Sequence, residues 1–251
     1  MRTIKLTLEY DGSDFNGWQI QRGTNRTVQG ELKKALRQIF KKDIPLTGSG
    51  RTDSGVHALG QVAHFQTDTP YSVDEIRRAL NGNLPADISI LRVEDAADTF
   101  HTQFNAKGKI YRYTICCRKS RPAVDRRFCW HIPGKLNVPA MRKAAARLTG
   151  RRNFKSFTAS DPALKRQGKS RGTVRTLQRL DIKKRGDFLY IEAEADGFLY
   201  KMVRNLVGTL VAVGKGRLSV KDVESILKAK DRSCAAKTAP AQGLSLMKVF
   251  Y

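Results

Sequence analysis

The apolar residues of the first hundred positions change period several times, and the order of those changes leaves few folds open. Thr3 to Tyr10 alternates polar and apolar, as a half-buried strand does, and stops at the turn signal Asp11-Gly12. Thr27 can cap a helix in which Val28, Leu32, Ala35, Leu36 and Ile39 share one face. A short strand after Pro45, a glycine loop and a strand over Leu59–Phe65 follow. Ser72 caps a second helix with Asp74 and Glu75 in its first turn, where the helix dipole favours acids; Pro85 closes it and Ile88–Val93 is a fourth strand. Strand, helix, strand, strand, helix, strand is the ferredoxin-like or RRM-like alternation, an antiparallel sheet with helices on one face, hence an α+β fold.

The rest of the chain reads in the same order with longer insertions. Lys109–Cys116 is a strand, and Val138–Leu148 a helix with Met141, Ala144, Ala145 and Leu148 on one face. A loop runs from Gly150 to Gly172, then Val174–Ile182 and Phe188–Ala195 alternate as a hairpin. A strongly apolar helix over Phe198–Val213, a shorter one over Val220–Lys228 and a closing strand Leu244–Phe250 complete it. No sequence repeat is visible, but the topology predicts two ferredoxin-like (RRM-like) domains, 1–104 and 105–251. Their antiparallel sheets would flank a central basic cleft, a usual place for an active site.

Charge separates these halves. Residues 1–104 hold 13 Lys+Arg against 13 Asp+Glu, whereas residues 105–251 hold 34 against 10, so the whole +24 lies in the second part. Such an excess calls for a polyanion, nucleic acid before an anionic membrane. The stretch from Arg147 to Arg175 is densest, with Arg151, Arg152, Lys165, Arg166, Lys169 and Arg171 interleaved with Phe154 and Phe157. Cations of this kind neutralise phosphates without reading sequence. Cys116, Cys117, Cys129 and Cys234 form no C-x-x-C pair and flank no histidine at metal-ligand spacing, which fits a reduced cytoplasmic chain without a metal. The N-terminal residues alternate rather than forming a signal-peptide core, and no apolar run approaches the ~20 residues of a membrane span.

One loop carries chemistry-bearing residues at high density. Gly48-Ser-Gly-Arg-Thr-Asp-Ser-Gly55 packs Arg51, Thr52 and Asp53 among glycines and runs through Gly60 into the strand. Glycines let backbone approach a ligand, and a following strand can hold a loop rigid. Gly50 and Gly55 have P-loop spacing, but Val56-His57 stands where Lys-Ser/Thr is required and a strand follows instead of a helix. Two readings of Asp53 then remain on local sequence, a catalytic carboxylate and a turn residue capping the backbone. Trp18, on a neighbouring glycine-containing loop, reads as packing, and His57 and His64 as structural.

Four blocks taken together are more specific. Gly50-Arg-Thr-Asp-Ser-Gly-Val-His57 with Gly60-Gln-Val-Ala-His-Phe65, Lys109-Ile-Tyr-Arg-Tyr113, Phe198-Leu-Tyr-Lys-Met-Val-Arg-Asn205 and Thr238-Ala-Pro-Ala-Gln-Gly-Leu244 resemble the TruA family of tRNA pseudouridine synthases. The resemblance implies conversion of uridine to pseudouridine at positions 38, 39 and 40 of the tRNA anticodon arm, with no metal or organic cofactor, by a homodimer. It implies that Asp53 is the catalytic carboxylate and Tyr111 the ring that stacks on the target base. Arg51 would enter the stack as the base leaves, Arg204 would pair with the carboxylate, and Leu244 would wall the pocket. Lys109-Ile110 departs from the family pattern, in which a small polar residue is common there. An RRM-like protein that grips structured RNA without chemistry is the alternative; it explains charge and fold but not Asp53 in its loop. A basic nuclease would need clustered carboxylates for a metal or a pair of histidines, and the sequence shows neither.

Overall fold

The computed structural model describes residues 1–21, 23, 26–159 and 172–251. The chain forms two units, Met1–Lys107 with Ser245–Tyr251, and Gly108–Leu244. Across the described residues it is α+β, with ten strands and five α-helices.

The first unit follows the alternation read from the sequence. Its elements are β1 (Arg2–Tyr10), α1 (Val28–Phe40), β2 (Thr47–Gly48), β3 (His57–Thr67), α2 (Val73–Asn83) and β4 (Ile88–Ala96). β1 is central, antiparallel to β3 with Ile4 opposite Phe65 and antiparallel to β4 with Leu6 opposite Val93. Period-2 alternation buries Ile4, Leu6 and Leu8 completely, together with Val28, Leu32 and Leu36 of α1 and Ile76 and Leu80 of α2. Fully burying such side chains contributes about 1.5–3 kcal/mol each. Both helices start at the expected caps. The Thr27 hydroxyl accepts from Gly30 N at 3.1 Å, and Ser72 and Glu75 form a reciprocal capping box.

One expectation fails here. The sheets are not purely antiparallel: β10 (Leu244–Phe250) lies parallel to β3, with Ser245 opposite His57 and Leu246 opposite Ala58. The closing strand, grouped with the second half in the sequence reading, thus belongs to the first unit. The cause is a long-range return of the chain, and a parallel pair needs such a crossover. Lys107 N also donates to Phe250 O at 2.9 Å, so the strand's far end is tied to the exit of the unit.

The second unit holds β5 (Gly108–Cys116), β6 (Trp130–His131), α3 (Val138–Leu148), β7 (Gly150–Asn153), β8 (Val174–Arg185), β9 (Phe188–Ala195), α4 (Met202–Gly214) and α5 (Val220–Ala229). Its strand order is β5-β9-β8-β7, antiparallel throughout, with the two-residue β6 parallel to β5. The apolar helix α4 begins at Met202 rather than Phe198, because Lys201 takes a left-handed conformation (φ 58°) and stops any helix from entering through it. Eleven of its 13 residues are buried, as its composition demands. The described part of the basic stretch after α3 holds β7 and a 3-10 turn at Lys155–Phe157, where the sequence predicted a loop. Phe154 and Phe157 are fully buried, with ring centroids 6.3 Å apart, so they are core residues and not bases' stacking partners. No helix among the described residues is long and apolar enough to cross a membrane.

Candidate active site

Asp53 stands in a tight turn whose closing bond is backbone to backbone, Val56 N donating to Asp53 O at 3.1 Å, with Gly55 at φ 76° in the position that requires a left-handed residue. Both neighbours of Asp53 are fastened to the segment after β1. Thr52 O accepts from Trp18 N at 3.1 Å and the Thr52 hydroxyl shares a 2.8 Å hydrogen bond with the buried Tyr10 hydroxyl. On the other side, Gly55 N and the Ser54 hydroxyl both donate to Phe15 O, at 3.3 and 3.2 Å. Burial pushes the Tyr10 phenol well above its ordinary range, so it stays protonated as part of this brace. A half-buried carboxylate is thus held on a backbone anchored at two points, which is what pre-organised chemistry needs.

The upstream limb is held just as firmly. Ser49 donates through its hydroxyl to Gln61 Oε1 at 2.8 Å, Val62 N donates to the same oxygen at 3.1 Å, and Gln61 Nε2 donates to Gly50 O at 3.0 Å. Gln61 is fully buried, and every polar atom of its amide is engaged, as burial requires. The sequence reading overlooked it and Tyr10, since a buried glutamine in a strand is not distinguishable by pattern from an outward-facing one. The glycines also serve a purpose other than ligand approach at two positions. A Cβ on Gly48 would lie 2.5 Å from the Trp18 ring, and one on Gly60 would lie 2.5 Å from Met247 O of β10. Trp18 is 2 % exposed and is a packing residue. His57 is structural: its Nδ1 accepts from Gly12 N at 3.0 Å. Arg51 is exposed beside this braced turn.

In the second unit, β5 places Tyr111 and Tyr113 two residues apart on one face. Tyr111 is 8 % exposed and meets Phe198 edge-on, with centroids 5.1 Å apart at 86°. Tyr113 is fully buried, donates to Pro240 O at 2.8 Å and lies against Gly243, so the segment leading to Leu244 is moulded on this ring. Burial drives the Tyr113 phenol far upward, while the nearby Arg204 guanidinium pulls the other way. Arg204, at the start of α4, donates from Nε to Ala239 O at 2.8 Å, and its own carbonyl accepts from Ala239 N at 3.1 Å. Next to it the buried Asn205 donates to Phe157 O at 2.8 Å and accepts from Thr238 Oγ1 at 2.7 Å and Arg232 Nη2 at 3.0 Å. Losing such a buried amide costs about 1–3 kcal/mol through its orphaned partners. These bonds bring Arg204, Tyr113 and the Thr238–Leu244 segment into one neighbourhood; Leu244 is 6 % exposed.

Arg151 and Arg152 are exposed on β7, opposite Thr176 and Arg175. Lys165, Arg166, Lys169 and Arg171 lie outside the described residues. Among the described residues no group of three or more His, Cys, Asp or Glu is placed to hold a metal ion, and all four cysteines are free thiols.

A carboxylate on a braced turn in one unit, and an aromatic strand face beside an arginine-bearing helix in the other, suit base chemistry on an RNA. The family model described as tRNA pseudouridine synthase matches residues 7–105 and 144–251, and the chain belongs to that family. At full length it is 45 % identical to tRNA pseudouridine synthase A of a Thermoanaerobacter species, covering 100 % of both chains. It is 46 % identical to tRNA pseudouridine synthase A of Bacillus subtilis over 99 % of this chain and 98 % of that one.

Proposed function

We infer that this enzyme, which isomerises uridine to pseudouridine in tRNA, acts at positions 38, 39 and 40 of the anticodon arm with Asp53 as its catalytic carboxylate. The observation that carries the assignment is the turn at Asp53, where both flanking residues are bonded to a separate segment while the carboxylate remains half-buried at its apex.

The reaction breaks the bond between ribose C1′ and uracil N1 and joins C1′ to C5. The C5 proton is released and N1 gains one, so no redox partner is consumed. A uridine in a stem must first leave the stack, at a cost of a few kcal/mol. Tyr111 is assigned the platform on which the extruded base stacks, and the exposed Arg51 the planar cation that fills the gap. Arg204 is assigned the counter-charge that keeps a desolvated carboxylate ionised, and Leu244 an apolar wall. Arg151 and Arg152, with Lys165, Arg166, Lys169 and Arg171, are assigned to the phosphate backbone.

The reading extends to two ferredoxin-like domains. The βαββαβ order of the first unit and the antiparallel β5-β9-β8-β7 sheet of the second support it. It further takes the enzyme to be a homodimer, on the strength of the resemblance, and cytoplasmic, for which four free thiols are suited. The test is incubation with unmodified tRNA transcripts, without added metal, followed by chemical mapping of pseudouridine. Product confined to positions 38–40 supports the reading, and product elsewhere in tRNA removes the site assignment.

A further inference from the structure

We propose that a basic cavity in the Gly108–Leu244 unit seats a backbone phosphate of the RNA strand next to the nucleotide under modification. The cavity, about 460 Å³, is lined by Arg121, Pro122, Arg126, Cys129, His131 and Gln242. Apart from Gln242, which lies in the Thr238–Leu244 block, none of these entered the sequence assignment, and the inference rests on the tRNA reading above.

Four observations carry it. The chain around the cavity is cationic, with Arg118, Lys119, Arg121, Arg126 and Arg127 set against one carboxylate, Asp125. Its backbone is fixed by its own side chains: the Arg118 guanidinium donates to Ser120 O at 3.0 Å and Arg121 O at 3.2 Å, and Arg126 donates to Ala123 O at 3.0 Å. His131 Nε2 donates to Arg118 O at 2.9 Å, and Pro122 is buried. Arg121 and Arg126 are therefore exposed cations on a rigid rim, a state that lowers the ordering cost of binding. Guanidinium forks match phosphate oxygens bidentately. Burial pushes the Cys129 thiol up to about 11, so the cavity floor carries no thiolate to repel an anion.

The cavity's position points to the substrate strand. Gln242 precedes Gly243, which lies against the Tyr113 ring, and Trp130, next to Cys129, meets that ring edge-on at 6.3 Å. Tyr111 is two residues along the same strand face, about 7 Å away. A base stacked on Tyr111 would thus bring a neighbouring phosphate to the arginine rim. The volume exceeds that of an isolated anion and suits a phosphodiester with part of its ribose.

The test compares the full-length protein with R121Q/R126Q, R121K/R126K and a control, R217Q, which removes an exposed cation elsewhere in the unit. Affinity for an unmodified tRNA transcript is measured across a salt series, with single-turnover pseudouridine formation at saturating enzyme. The glutamine pair should bind about tenfold or more weakly, with the slope of log K against log salt shallower by ~1–2 and the saturated rate within about twofold. The lysine pair should keep the slope and lose part of the affinity. Unchanged affinity and slope in the glutamine pair, equal slope changes in both pairs, or an equal loss in R217Q would each overturn the proposal. Competition by an acidic peptide but not by RNA would overturn it in favour of a protein partner. If the wild type forms no pseudouridine in any transcript, the underlying reading fails instead, whatever the variants do.

Discussion

Replacing Tyr111 by phenylalanine removes a hydroxyl and keeps the ring, whereas leucine removes the ring. If stacking is its duty, Tyr111→Phe should retain most single-turnover activity and Tyr111→Leu should lose about 1–3 kcal/mol of base stacking, roughly 5- to 150-fold. Equal losses would transfer the role to the hydroxyl. Two positions before it, burial lowers the Lys109 ammonium to about 8 from its ordinary 10.5. Between those values the unfolded chain holds the proton more tightly than the folded one, so the stability Lys109 withholds at neutral pH is regained as pH rises from 8 to 10.5. Lys109→Met should accordingly melt a few degrees above wild type at pH 7, with the gap closing by pH 10.5; a gap constant with pH would contradict the shift. At this scale the loop's composition left Asp53 open between a catalytic carboxylate and a turn residue, since Asp is common among glycines in turns, and only the four blocks together singled it out. The brace was not legible, because Tyr10, Phe15, Trp18 and Gln61 reach it only once β1 and β3 are paired.

Among the elements, β10 is the one whose place local sequence does not specify. It pairs with β3 where Gly60 lets the backbone at Met247 come close, a use of strand glycine that depends on a partner far along the chain. Gly60→Ala would put a methyl 2.5 Å from Met247 O and should destabilise by about 1–3 kcal/mol, with hydrogen exchange accelerated first in β10. Uniform loss of protection, or none, would mean that the contact is not what holds the strand. The helices were far more legible, because 3.6-residue periodicity and caps such as Thr27 and Ser72 are encoded within a few residues. The apolar run at Phe198 shows the limit of that rule: hydrophobicity continued across Lys201, but the backbone did not.

Over the whole molecule, the charge asymmetry makes a plain prediction. With the excess of Lys and Arg confined to residues 105–251, tRNA affinity should fall by about 10³–10⁵ between 50 and 200 mM salt if 6–10 phosphates are engaged. An affinity indifferent to salt would remove electrostatics from the account. The α+β class and the order of the first unit were legible because each switch of period names an element, while the parallel pairings were hidden because they join distant or very short segments. The central claim is narrower: a single carboxylate, at position 53, performs the chemistry. It is tested most directly by measuring pseudouridine formation and tRNA binding side by side for wild type and Asp53→Asn on an unmodified transcript. The account predicts binding within a few-fold of wild type and no product above background, and turnover near the wild-type rate would contradict it.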